Sequence, residues 1–206
     1  IAALTVSTLV VEYWLRDLAA ARASLPKTSR AALPVHGQIP PFDLTERSGK
    51  SFGSAQLKDK VWIADFIFTR CRGPCPTMSL HMAEMQKSLG NLPDVRLVSF
   101  SVDPEFDTPK VLAEYAKQFE ASPTQWFFLT GKFDVIQRIA REDFKLSMEK
   151  APPNRQEADQ DPIIHSSYFI LVDRQGRIRG YYDSTNREAL KSLLNDVVKL
   201  LKEKHS

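Results

Sequence analysis

An apolar run from Val61 to Phe68, VWIADFIF, limits the fold of this chain more than any other feature. Its β-branched and aromatic residues are typical of a strand that is buried on both faces. Shortly after it, Cys75 and Pro76 open a segment in which methionines and leucines recur at helical spacing until Gly90, where a helix can end. A buried strand that leads into a helix predicts an α/β fold with helices packed against a sheet.

The rest of the chain continues this alternation. Strands are predicted at 95–102 and 126–129, and a hairpin within 167–183 turns at Gln175-Gly176. An earlier hairpin, FDLTERSGKSF, is predicted around Ser48-Gly49. Together these elements predict a mixed sheet with helices on both faces.

Three further helices are predicted from cap residues and apolar spacing. One should begin with Thr108 as its N-cap and Pro109 in its first turn. The last should open with a capping box formed by Thr185 and Glu188. In the segment 132–144, helical spacing places four side chains on one face: Phe133, Ile136, Ala140 and Phe144.

The first residues of the chain pose a separate question. Ile1 to Val11 is uncharged and apolar, but shorter than the roughly 20 residues that cross a bilayer. It fits either the end of a transmembrane anchor, with Tyr13 and Trp14 at the interface, or an amphipathic helix packed on the domain. Its lack of a polar face favours the anchor. We therefore predict a truncated membrane anchor and tether at 1–33 and one folded domain at 34–206.

Composition excludes some classes of function. The chain has 206 residues, of which 43% are hydrophobic and 26% charged, and its formal net charge is +3. This balance is ordinary for a globular protein, and the scattered basic residues give no sign of nucleic-acid binding. The chain has only two cysteines, which cannot form a disulfide framework, so their closeness points to redox or metal chemistry.

Cys71 and Cys75 are separated by three residues, and Cys75 falls at the predicted start of a helix. The N–H groups and the dipole of a helix N-terminus favour thiolate over thiol. Two sulfurs at this spacing can close a disulfide, or they can bind Cu(I), zinc or an iron–sulfur cluster, which thiolate ligands favour. Two protein ligands leave a metal site incomplete, so a third is expected.

His165, in DQDPIIHSSYFILVD, precedes the strand that should neighbour the first one. Taken alone, a single histidine there is more often structural. His81 is a poorer candidate, because six residues place it almost two helical turns beyond Cys75. Met78 is a soft atom one turn after Cys75, but methionines at helical spacing more often belong to the core.

Three segments resemble the signature blocks of the Sco/SenC proteins: FTRCRGPCP, SVDPEFDTPKVLAEYA and HSSYFILVDRQGRIRGYYD. Members of that family are membrane-tethered copper chaperones that help to assemble the binuclear copper site of cytochrome c oxidase. The resemblance runs in order from about Val35 to the end of the chain. It implies a thioredoxin-like fold with an N-terminal β-hairpin extension and an N-terminal helical anchor.

The resemblance also implies a site. Cys71, Cys75 and His165 match the copper ligands of the family, and Asp103 and Asp107 match its acidic pair near the metal. Thiolates favour Cu(I), and the imidazole lets Cu(II) bind as well. Both aspartates could instead cap the helix that follows them.

The implied partners are the copper-site subunit of the oxidase, subunit II, and another copper chaperone of the same compartment. That compartment would be the bacterial periplasm or the mitochondrial intermembrane space, with the domain held at the membrane by one N-terminal helix.

The loop between the cysteines departs from the family pattern. The family usually has proline after the first cysteine and a hydrophobic residue before the second, whereas this chain has Arg72, Gly73 and Pro74. Gly-Pro-Cys also occurs in thioredoxin, and a cation such as Arg72 stabilises thiolate. The alternative function is therefore a thiol–disulfide oxidoreductase, in which Cys71 and Cys75 are a redox pair that reduces the copper-site cysteines of the oxidase subunit.

Overall fold

A computed structural model describes residues 32–90, 92–146 and 167–203 of the chain. The described residues from Leu33 onward belong to one compact unit. The predicted anchor, apart from its last two residues, and His165 lie outside the described residues, so both remain predictions. Within the described ranges, no helix combines the length and the apolar character that a bilayer crossing requires.

The described strands form one sheet in the order β1-β8-β7-β4-β5-β6-β2-β3. The central strand, β4, pairs in parallel with β5 and antiparallel with β7. The bounds are β1 (Gly37–Gln38), β2 (Asp43–Glu46), β3 (Ser51–Gly53), β4 (Val61–Ile67), β5 (Val95–Ser101), β6 (Trp126–Thr130), β7 (Tyr168–Val172) and β8 (Arg177–Asp183). The two predicted hairpins are confirmed as β2–β3 and β7–β8.

Four α-helices connect or follow these strands within the described ranges. They are α1 (Cys75–Leu89), α2 (Pro109–Gln118), α3 (Phe133–Arg138) and α4 (Arg187–Lys202). A 3-10 helix spans Ser54–Leu57, and a π-helix spans Ile139–Asp143 directly after α3. The predicted starts of α1 and α2 are confirmed: α1 begins at Cys75, and the Thr108 hydroxyl accepts the Val111 N–H at 3.4 Å.

Side chains of β4 alternate between two apolar clusters, one on each face of the sheet. Ile63 and Ile67 belong to the cluster that contains residues of α1, α2 and α4, and Cys71 and Cys75 are part of it. Trp62, Ala64 and Phe66 belong to the cluster that contains residues of α3 and the π-helix. Helices therefore cover both faces, as the strand–helix alternation predicts. The first cluster is called the thiol-side core below.

The predicted helix over 132–144 is wrong in two respects. The 132–144 segment is not one regular helix, because the Phe144 N–H bonds to the Ile139 carbonyl, five residues back. Phe133 is 42% exposed and so does not share the buried face.

The N-cap of α4 is also different from the predicted one. Asn186 Oδ1 accepts the N–H groups of Glu188 at 2.9 Å and Ala189 at 3.2 Å. Thr185 instead donates its hydroxyl to Asp183. An Asn side chain is as good a cap as Thr, and its place one residue later decides where α4 begins.

Arg179 on β8 is a buried cation that joins distant parts of the chain. Its guanidinium donates to the Leu33 carbonyl at 2.7 Å and the Pro34 carbonyl at 3.2 Å. It also donates to Asp173 at 2.8 Å and to Glu203, just after α4, at 3.2 Å. The side chain is only 3% exposed, and these partners supply the compensation that a buried charge requires.

Candidate metal and thiol site

The two cysteines flank a short loop that leaves the carboxyl end of β4 and enters α1. Cys71 is 8% exposed and Cys75 4% exposed. The Cys71 N–H bonds to the Phe68 carbonyl at 3.2 Å, and the Gly73 N–H donates to Cys71 Sγ at 3.4 Å. No disulfide joins the two residues. The loop therefore holds two reduced, nearly buried sulfurs close together.

The neighbouring sulfur and the burial decide the protonation of Cys75. A hydrogen bond with the Cys71 side chain, followed by burial, raises the pKa of the Cys75 thiol, while a backbone hydrogen bond at Phe68 acts in the opposite direction. Both the shared hydrogen bond and the burial oppose the thiolate that the N-terminus of α1 favours. A second negative charge beside a first one in a buried site is unfavourable, so the pair does not readily carry two charges in the metal-free state.

Asp107 anchors the start of the cysteine loop. Its carboxylate is fully buried and accepts the Thr69 N–H at 3.1 Å, the Thr69 hydroxyl, and the Ser101 hydroxyl at 2.6 Å. Burial raises the pKa of Asp107, although these hydrogen bonds oppose the effect. Since Thr108 is the cap of α2, the capping alternative for Asp107 is wrong. Asp107 joins the ends of β4 and β5 just before Cys71.

Asp103 contacts the residue directly before Cys71. Arg70 Nε donates to Asp103 Oδ2 at 2.6 Å, and its guanidinium lies over the Phe106 ring at 5.1 Å from the centroid. The Arg70 side chain is 55% exposed, so this pair contributes at most about 1 kcal/mol to stability. Its consequence is positional, because it orients the outer side of the cysteine loop.

The structure brings Cys71 and Cys75 together but does not test the third predicted ligand. Across 32–90, 92–146 and 167–203, no group of three or more His, Cys, Asp or Glu side chains is arranged to hold a metal ion. His165 lies outside those ranges, and the polar segment before it does too. The strand that follows, β7, does neighbour β4, with Ala64 opposite Ile170.

The other candidate ligands have structural roles or stand apart. Met78 is 1% exposed, and Met82 and Met85 are also buried in the thiol-side core. The core role predicted for this methionine stripe is confirmed. His81 is half-buried on α1.

Sequence reasoning missed polar groups beneath the cysteines. Ser79 and Tyr115 share a buried hydrogen bond of 2.9 Å between α1 and α2. Burial, opposed by that bond, raises the pKa of Tyr115, and charge on the cysteines adds to the effect. Asp65 occupies the middle of β4 and is completely buried. An acidic residue inside an otherwise apolar strand was the available signal.

The profile of the SCO1/SenC family matches residues 32–202. The chain belongs to the SCO1/SenC family. A curated relative, the SCO1 protein homolog of Bacillus subtilis, is 38% identical over 167 residues, which cover 80% of this chain and 83% of the relative.

Solved Sco structures share the fold. A SCO1/SenC family lipoprotein from Bacillus anthracis is 32% identical, with a TM-score of 0.73 over 84% of this chain and 100% of that one. BsSco, a member of the Sco family of cytochrome c oxidase assembly proteins in which a disulfide switch was identified, is 36% identical, with a TM-score of 0.70 over 84% and 100%. ScoI of Bradyrhizobium japonicum, solved with copper bound, is 27% identical, with a TM-score of 0.62 over 77% and 99%. The described fold is therefore the mixed α/β, thioredoxin-like fold of Sco structures.

Arg72 distinguishes this loop from the usual Sco pattern, and it is exposed. We expect Arg72→Gln to slow alkylation of the reduced chain by iodoacetamide at neutral pH by about two- to fivefold. The reason is that an exposed cation stabilises a neighbouring anion, here the thiolate, by about 0.2–1 kcal/mol. Lys87→Gln, which removes an exposed cation near the other end of α1, is the control and should leave the rate unchanged. Equal rates for all three proteins would show that Arg72 has no influence on the thiols.

Proposed function

We propose that this Sco protein is a copper chaperone that binds its cargo through Cys71, Cys75 and His165 and delivers it to the binuclear copper site of cytochrome c oxidase. The observation that carries the proposal is the pair of adjacent, nearly buried sulfurs at the end of β4. The copper-bound structure of the related ScoI from Bradyrhizobium japonicum supports it. So does the description of BsSco as a member of a family of cytochrome c oxidase assembly proteins.

The chemistry of the donors fits a cargo that must be both held and released. Two thiolates select Cu(I), and one imidazole extends the set to Cu(II). Cys71 and Cys75 follow the carboxyl end of β4, at one edge of the sheet. They are only a few per cent exposed, so a partner's ligands would reach them from that edge. The proposed partners are subunit II of the oxidase and a second copper chaperone that loads this one.

We further propose that one N-terminal helix anchors the domain to a membrane, with the domain in the bacterial periplasm or the mitochondrial intermembrane space. The apolar run from Ile1 to Val11 supports an anchor. The related Bacillus anthracis protein is a lipoprotein. A family member that carries a lipid group supports membrane attachment here, although the anchor proposed for this chain is a helix.

A second candidate is reduction of the copper-site cysteines of the oxidase subunit. Two observations favour it: the Gly-Pro-Cys sequence before α1, and the two sulfurs that share a hydrogen bond without being joined. The disulfide switch identified in the related BsSco supports a disulfide role for this pair. Both candidates use Cys71 and Cys75, but only copper carriage needs an imidazole.

His165→Ala separates the two candidates. We expect this variant to form and reduce the Cys71–Cys75 disulfide at nearly the native rate, because dithiol exchange needs two sulfurs only. It should bind Cu(II) far less well, by about tenfold or more, because thiolate pairs alone favour Cu(I). Oxidase assembly in cells that lack the native protein should fail with it. The measurements are copper titration, disulfide exchange and oxidase copper content.

His81→Ala is the matched control, because it removes an imidazole from α1 without touching the proposed ligands. It should retain copper and support assembly. If His165→Ala still supports assembly of the oxidase copper site, delivery through this site is the wrong function and the thiol–disulfide function takes its place.

A further inference from the structure

Arg47 directly follows strand β2, and its side chain is only 11% exposed. The guanidinium lies over the Phe128 ring at 5.2 Å from the centroid, and Nη2 donates to the Ala121 carbonyl at 3.1 Å. The Glu46 carboxylate is beside it, with Oε1 3.4 Å from Nε. In the described part of the chain, Nη1 makes no hydrogen bond. A nearly buried cation with so few partners costs stability.

Glu46 compensates this charge only in part. Its other oxygen, Oε2, accepts the Ser48 N–H at 2.7 Å, so the carboxylate is shared between the turn and the guanidinium. The 3.4 Å separation from Arg47 Nε is also longer than a charge-assisted hydrogen bond of about 2.7–2.9 Å. Burial lowers the pKa of Arg47, and the charge of Glu46 opposes this effect without cancelling it. A second anion would therefore stabilise the guanidinium.

Arg47 lines a groove between the β2–β3 hairpin and α2, which has a volume of about 770 Å³. Two further cations line it, Lys50 of the hairpin and Lys117 of α2, and both are exposed. Lys117 belongs to a surface ion pair, which is weak enough for another anion to replace its partner. The acidic residues of the lining are Glu46 and Glu120, and Glu120 is 80% exposed at the rim. Positive charge therefore predominates in the groove.

The rest of the groove is largely apolar. Phe52 and Phe127 are in contact, with their ring centroids 4.4 Å apart. Ala113, Ala121 and Pro123 extend this surface. A cleft of this size that combines apolar walls with a few convergent polar groups is the usual form of a small-molecule site.

The groove is separate from the copper site and from the point where the chain enters the domain. Among the described residues that line it, none is a proposed copper ligand. The sheet order places β2 and β3 at one edge and β8 and β1 at the other, and the chain enters at Leu33 beside β8. The proposed membrane anchor is thus joined to the opposite edge, so a freely diffusing anion fits the groove better than a lipid headgroup.

We propose that this groove binds a small organic carboxylate with an apolar or aromatic body. The carboxylate accepts a hydrogen bond from Nη1 of Arg47, and the ammonium groups of Lys50 and Lys117 add to the attraction. The body of the ligand covers Phe52 and Phe127, which an inorganic anion would leave uncovered. This site is independent of the cysteines, so it adds a ligand to the proposed copper carriage.

The test is a titration of the reduced, copper-free chain with 4-phenylbutyrate, followed by its amide chemical shifts. We expect saturable binding with a Kd of about 1 mM or below, with the shifts concentrated at 46–52 and 113–127. Acetate supplies the carboxylate without the body, and 4-phenylbutanol supplies the body without the charge. Each should bind at least about tenfold more weakly than 4-phenylbutyrate.

Three variants test the charges. Arg47→Gln should weaken binding by about tenfold or more, because a charge-assisted hydrogen bond is lost, and Arg47→Lys should recover part of the loss because it keeps the charge. Glu120→Gln should strengthen binding by about twofold, since it removes a like charge from the rim. A purely structural role of Arg47 would not produce that gain. Arg141→Gln is the control with native affinity, because it removes an exposed cation of the π-helix, outside the groove.

Copper content should be native in all of these variants, which keeps this test separate from the proposed copper function. The proposal is overturned by the absence of saturable shifts, by equal affinities for 4-phenylbutanol and 4-phenylbutyrate, or by native affinity in Arg47→Gln. If Arg47→Gln does not fold, the other two variants decide, and native affinity in both Arg47→Lys and Glu120→Gln overturns it.

Discussion

Either Cys71→Ser or Cys75→Ser should lower the copper content of the reduced chain from one ion to none after desalting. Serine keeps the size of the side chain but replaces a soft thiolate by a hydroxyl, which is a poor ligand for Cu(I). Because the two sulfurs lie together, each variant loses half of the sulfur ligands, and one thiolate with the proposed His165 imidazole should not retain Cu(I) through desalting. Atomic absorption on the desalted protein is the measurement.

Met78→Leu is the control for a lost sulfur. Met78 lies one turn after Cys75 and is 1% exposed in the thiol-side core, and an exchange of Met for Leu conserves volume at a cost below about 1.5 kcal/mol. This variant should keep its copper. Full copper content in either serine variant would mean that the site lies elsewhere in the chain.

Asp65→Asn should raise the free energy of unfolding at pH 8 and change it little at pH 4. The pKa of Asp65 is about 7 in the folded chain, against about 3.9 when it is unfolded. Between these values the folded state holds a proton that the unfolded chain has released, so native stability falls as pH rises and levels off above about pH 7. At about 1.4 kcal/mol per pH unit, the stabilisation at pH 8 reaches at most about 4 kcal/mol.

The measurement is urea unfolding of the reduced protein at both pH values. Asp94→Asn is the control, because Lys60 lowers the pKa of that exposed carboxylate. Its removal has the opposite effect on the free energy of unfolding. Compared with the native protein, Asp94→Asn should be slightly less stable at pH 8, and this difference should shrink at pH 4. An Asp65→Asn effect of the same size at both pH values would show that the carboxylate is not penalised by burial.

The sequence predicted those parts of the fold whose causes are local. The apolar run at Val61 is strand β4, the Pro76 segment is helix α1, and Thr108 caps α2, because periodicity and cap chemistry act within a few residues. The cap of α4 was predicted wrongly, although Asn is the slightly better cap by residue type. The π-helix after α3 was not predicted, since one inserted residue does not alter the apolar pattern.

The site was predictable to the extent that it depends on neighbours in the chain. Cys71 and Cys75 come together because three residues cannot hold them far apart. The role of Asp107 could not be predicted, because its partner Thr69 is 38 residues away and meets it only when β5 lies beside β4. Asp65 was visible as an acid in an apolar run, but its side of the sheet becomes known only when the two cores are assigned.

Arg179 has a mechanical consequence. The same guanidinium holds the carbonyls of Leu33 and Pro34, where the chain enters the domain, and the carboxylate of Glu203, where α4 has ended. A force applied to the chain before Leu33 would therefore act on the buried Arg179 side chain of β8 and its ion pairs. Entry and exit should fray together and rarely, since opening either one uncovers a buried charge.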